Sequence, residues 1–243
     1  CELLSKINTL IQKEHYHPKP VDDSLSVYVF DTFIDNIDGN RNIFTKIEYE
    51  KLSSHRLQLD NYILEKNCLF MNDFVSMYQF ALERKKKALE KIRDEILDYN
   101  GKDTVKFSKK NFPFELKSTD FDRVWKKRMK FDILEDISKL SKNFDSLKQH
   151  FSKLEKISKA KIVESNICKV NNILESKKGI GNDFQNQFLN IFCTYFDPHT
   201  NYFSEDAKSS FMSSLTTSGL SLGLNVTLNE NDEIVIDEVV PGG

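Results

Sequence analysis

The sequence predicts a mainly α fold: a multi-helix N-terminal domain over residues 1–203, then a linker helix and a first β hairpin within 204–243. Apolar residues recur at threes and fours from Leu3 to Phe196, the signature of helices buried along one face. Only 8 Gly and 5 Pro interrupt 243 residues, whereas 30% are charged, which suits long solvated helices. At Leu224 the period switches to two, so a different element begins there.

Leu3, Leu4, Ile7, Leu10 and Ile11 form the first helical stripe, which stops at the HYHPKP turn because proline disfavours helical torsions in the residue before it. Asp22, Asp23 and Ser24 offer caps for a second helix carrying Val29 or Phe30, Phe33, Ile34 and Ile37, closed by Asp38-Gly39-Asn40. Thr45 opens a third. Phe74, Met77, Tyr78, Ala81, Ala88, Leu89, Ile92 and Ile96 mark a long helix, with Glu83/Lys87 and Lys91/Glu95 as supporting pairs and Asn100-Gly101 as its stop.

From Asp120 a helix resumes with Phe121, Val124, Trp125, Leu134, Ile137 and Leu140. A break at Ser141–Ser146 precedes a seam of Phe144, Leu147, Phe151, Leu154 and Ile157. Gly179-Ile180-Gly181-Asn182 precedes the apolar helix FLNIFCTYF, DPHTNY makes a turn, and Ser204 caps a short helix. Leu224, Val226 and Leu228 then face away from Asn225, Thr227 and Asn229, predicting a half-buried strand; NENDE turns the chain into IVIDEVV.

Composition narrows function. Lys plus Arg (35) balance Asp plus Glu (37), leaving a net charge of −2 and no single-sign field to hold nucleic acid. The basic runs Lys85-Lys86-Lys87 and Lys126-Lys127-Arg128 fall within helices and are expected on solvated faces. Cysteines 1, 68, 168 and 193 lack the close spacing of zinc or redox motifs, so no metal and no cofactor is expected; pairing among Cys68, Cys168 and Cys193 stays open. No apolar run reaches the roughly 20 residues a membrane span needs. Cys1 invites a lipid-anchor reading, but the stripe directly behind it leaves no tether, which favours a start lying further upstream.

Five stretches, HYHPKPVDDSLS, VFDTFIDNIDGNRNIFTKIEYEKL, WKKRMKFDIL, FDPHTNYFS and the GLSLGL strand with VVPGG, stand here in order. Together they resemble the N-terminal helical domain and the first part of the PDZ domain of tail-specific proteases, also called carboxyl-terminal processing peptidases. The resemblance implies a bacterial serine peptidase that acts in the periplasm or cell envelope, free or membrane-associated, on proteins with apolar C-termini. Its Ser-Lys core would lie outside these residues, and adaptors could dock on the helical domain. The one local SxxK, Ser158 to Lys161, sits in a charged helix, and Asp197 with His199 reads as turn chemistry, so no catalytic residue is assigned.

The same resemblance places carboxylate capture at Ser221, Leu222, Gly223 and Leu224. Backbone N–H groups of a tight loop would receive a C-terminal carboxylate, Gly223 would give the loop its freedom, and the leucines would line an apolar pocket. Ser221 departs from the family, which more often has glycine there. The residues alone also fit a non-catalytic helical adaptor with a small β appendage.

Overall fold

The computed structural model describes residues 1–107, 112–215, 223–228 and 234–239. These form ten α-helices and one two-stranded antiparallel sheet, distributed over two compact units, Cys1–Tyr202 and Phe203–Gly243. The mainly α fold closed by a hairpin is as expected.

In the first unit, α1 (Glu2–Glu14) leads into α2 (Asp23–Ile37), whose N-cap Asp22 accepts from the Ser24 and Leu25 N–H groups. Thr45 and Glu48 exchange side-chain and backbone bonds as a capping box for α3 (Lys46–Ser53). A short α4 (Leu59–Glu65), which the periodicity does not reveal, ends at Lys66 with φ 58°. The long α5 (Leu69–Asp94) follows, then α6 (Phe121–Lys139), α7 (Phe144–Gln149), α8 (Phe151–Leu174) and α9 (Ile180–Phe196). The second unit holds α10 (Glu205–Leu215), β1 (Leu224–Leu228) and β2 (Ile234–Val239).

Helices α2, α5 and α9 build the centre from aromatic rings. Phe33 meets Phe74 at 4.8 Å and Phe188 at 5.2 Å in edge contacts, and Phe74 stacks on Tyr78 at 5.4 Å. Phe121, Trp125, Met129, Ile133 and Ile137 of α6 are all buried, a strict spacing of four. Val163, Ile167 and Val170 of α8 close the other side. Gly181 allows α9 close to α5: a Cβ there would sit 3.3 Å from a Val75 methyl.

Several expectations need correction. Helix α5 stops at Asp94 rather than at Asn100-Gly101, leaving Ile96 95% exposed, because the extended chain beyond buries Leu97 and packs Tyr99 edge-on against Phe151 at 5.3 Å. Lys91 and Glu95 do not pair along the helix; they reach across to Asp122 and Lys126 of α6. The break near Ser141 is present, with Asn143 accepting from the Ser146 N–H, but a second one follows at His150. The Phe144–Ile157 seam is therefore partly spent on solvent, with Phe144 and Ile157 exposed, as are Leu134 and Leu140 of α6.

The basic runs lie only partly on a solvated face: Lys87 is exposed, but others are drawn inward. Lys85 holds its ammonium 4.5 Å from the centre of the Trp125 ring, and Lys126, Lys127 and Arg128 are half-buried, each paired with a carboxylate. The cysteine question is also answered: Cys1 bonds to Cys68, tying α1 to the start of α5, while Cys168 and Cys193 are free.

Candidate functional site

The hairpin pairs Leu224 with Val239, Val226 with Ile236 and Leu228 with Ile234, and its register shifts between Asn225 and Val226. Such a bulge adds local twist to one strand. Gly223, immediately before β1, is buried and has φ 63°, a torsion that an L side chain adopts only with strain. Leu224 opens the strand at 42% exposure. Ser221 and Leu222 lie outside the described residues, as do Asn229 and the NENDE turn. The apolar positions Val226, Ile234, Ile236 and Val239 are exposed, so the expected half-burial of the strand is not realised among them.

In the first unit the residues of IDGNRNIFTKIEYE make a buried polar knot rather than a reactive centre. Asp38 accepts from the N–H groups of Asn42 at 2.8 Å, Ile43 at 3.1 Å and Phe44 at 2.9 Å. Burial outweighs those bonds and the Arg41 charge, so the Asp38 carboxyl is pushed up to about 6. Arg41, itself left-handed with φ 53°, donates to the Phe112 and Asp38 carbonyls at 2.7 Å each and to Asp35. Arg84 grips Glu48 through both terminal nitrogens, at 2.6 and 2.8 Å, donates to the Ile43 carbonyl and stacks 4.5 Å from Phe121. The Trp125 indole then donates to the Asn42 carbonyl at 2.8 Å. Every charged member has a partner inside the knot, so it fixes the α2–α3 connection onto α5 and α6. In the sequence Asp38 reads only as a turn residue.

The local SxxK pair does not make a nucleophile with its base. Ser158 is buried and bonds Asp136, which also holds Lys161 at 3.1 Å, so the serine and lysine share a carboxylate instead of facing one another. His55, itself buried, has one ring nitrogen 3.0 Å from the Tyr62 hydroxyl and the other 3.0 Å from Asp73, so both its nitrogens are taken up within the helical unit. Asp197 accepts from the His199 N–H at 2.7 Å, and the Thr200 N–H donates to its carbonyl: a turn. Among the described residues no three His, Cys, Asp or Glu side chains cluster as metal ligands, and no helix is long and apolar enough to cross a membrane.

The first unit is thus a helical scaffold stitched by partly buried ion pairs, and in the second a glycine-led hairpin follows α10. Residues 7–206 match the family model described as the tail specific protease N-terminal domain, and the chain belongs to that family. It is similar to the tail-specific protease of Haemophilus influenzae (strain Rd), with 29% identity over 241 residues, 98% of this chain. The chain spans 32% of that relative's length. The hairpin agrees with the start of a PDZ domain following the helical domain.

Proposed function

We propose that this chain is the substrate-selecting N-terminal part of a bacterial serine peptidase that hydrolyses proteins chosen by their apolar C-termini. Residues 204–243 begin the PDZ domain, and the loop Ser221, Leu222, Gly223, Leu224 receives the terminal carboxylate. The observation that carries this reading is the left-handed torsion of Gly223 at the head of β1, which turns the chain sharply where the family's carboxylate loop would stand. The helical domain, residues 1–203, positions substrate and offers a face for a protein adaptor. Cleavage itself belongs to a Ser-Lys pair elsewhere in the protease. A Cys1–Cys68 disulfide supports an oxidising compartment, hence the periplasm or cell envelope.

The test uses the full-length protease and titration calorimetry with an apolar peptide, either free or amidated at its C-terminus. Amidation should weaken binding to the wild type at least about tenfold, because the charge that strengthens the N–H bonds is gone. Gly223→Val should weaken the free peptide by a similar factor, since a charge-assisted bond contributes about 1.5–3 kcal/mol. Equal binding of both peptides to the wild type sinks the loop assignment, whatever the variant does.

A further inference from the structure

One face of α6 looks into a cavity of about 360 Å³, bounded also by the stretches around Asn40–Asn42, Thr104–Lys106 and Phe112–Leu116. That volume lies within the range of small-ligand sites. The chain as a whole carries a net charge of −2. Among the described residues that line this cavity, however, stand five cationic side chains, Arg41, Lys106, Arg123, Lys127 and Arg128, against two carboxylates, Glu115 and Asp120.

The cations differ in how far they are committed. Arg41 is saturated, and Lys127 shares Asp103 with Lys130. Arg123 holds Asp120 through one nitrogen at 2.8 Å and is 61% exposed. Arg128 donates to Asp132 through Nε, yet its Nη1 is buried with no hydrogen-bond partner. Lys106 meets only the Phe112 ring, at 5.3 Å, among the described residues. A buried guanidinium nitrogen without an acceptor is unfavourable, and a bound anion would satisfy it. The cavity also has an apolar wall in Val105, Phe112, Pro113 and Val124.

We infer that this cavity binds the carboxylates of an organic acid, supplied either by an acidic peptide end or by a small dicarboxylate, with Lys106, Arg123 and Arg128 as the recognising cations. Planar guanidinium forks match carboxylate geometry, and the apolar wall favours an anion on a carbon body over a bare inorganic one. The site lies wholly in the first unit and does not depend on the hairpin.

Titration calorimetry on the chain tests this with two probes, glutarate and the acetylated tetrapeptide Val-Leu-Asp-Glu. Lys106 and Arg123 are exposed, so Lys106→Glu/Arg123→Glu should leave the melting temperature unchanged while weakening binding at least about tenfold; a surface charge change alone rarely moves stability. Binding should also fade at about 1 M salt, where the Debye length shrinks to about 3 Å. Tighter binding of the peptide identifies a peptide source, and equal binding identifies a small organic acid. Binding of neither probe, or equal affinity in the charge-reversed protein, overturns the site. Gly223→Val should leave this binding unchanged, which separates its failure from failure of the hairpin assignment.

Discussion

Residues of the same chemical kind meet opposite fates in the two units. Phe33 and Phe74 are fully buried and Ile34 is 1% exposed, whereas Val226 is 62% and Ile236 58% exposed. Both sets repeat with the period of their element, so periodicity reports which side chains share a face and says nothing about whether that face is covered. The difference lies in partners: α2, α5 and α9 cover one another with rings, while among the described residues β1 pairs with β2 alone, and an isolated two-stranded hairpin is marginal in water. The helical unit should therefore carry nearly all of the chain's stability.

The largest expected effect comes from cutting the chain. Ending it at Tyr202 should preserve one cooperative melt, since that boundary closes the first unit. Ending it at Asn182 removes most of α9, including buried Phe188, Ile191, Phe192 and Phe196, and should abolish the melt. Equal melts of the two shortened chains would break the comparison. Single substitutions sharpen it: Phe33→Ala should cost about 3–5 kcal/mol in urea unfolding. Ile236→Ala, on an exposed strand, should stay within about 0.5 kcal/mol.

Breaking the polar knot should rank next. Arg84→Ala strands the half-buried Glu48 carboxylate and the Ile43 carbonyl, and removal of one partner from such a pair costs about 3–5 kcal/mol. Reduction of Cys1–Cys68, whose cysteines lie 67 residues apart, should lower stability by about 4 kcal/mol on the chain-entropy view. Unfolding with and without a reductant measures it, and Cys1→Ser should respond to neither condition.

A smaller effect follows pH. The Asp38 carboxyl is raised from 3.8 to about 6 in the folded chain, burial being the first cause. A raised folded value means the native state holds its proton more tightly, so this group's contribution is fully present below about 4 and is lost as pH rises through about 6. At about 1.4 kcal/mol per unit it amounts to roughly 2–3 kcal/mol. Glu48 is lowered, against its own burial, by Arg84 and the Thr45 bonds, so it acts in the opposite sense and loses its contribution as pH falls. Stability measured from pH 3 to 7.5 should therefore differ between the wild type and Asp38→Asn by a slope confined to the range from about 4 to about 6; parallel profiles would exclude Asp38 as the source.

Much of the helical unit was legible because its signals are local. Asp22, Thr45, Asn143 and Gly179 mark helix starts through their own side chains or torsions, and each does so here. What was hidden depends on partners distant in sequence. The end of α5 follows from where Leu97 and Tyr99 find α8, and the lysine runs are drawn inward by Trp125, Asp103 and Asp132. Asp38 looks like any turn aspartate until three N–H groups converge on it. At the candidate loop, glycine chemistry made Gly223 visible, and its φ of 63° uses that freedom.

Amide hydrogen exchange on the 243-residue chain tests the contrast between the two units most directly. Amides of Phe30–Ile34 and of Phe74–Leu89 should exchange only through global unfolding, with one common free energy. Amides of Leu224–Leu228 and Ile234–Val239 should exchange far faster, through local opening. Hairpin protection equal to that of α5 would contradict the account, because two exposed strands would then be folding as part of the same cooperative core.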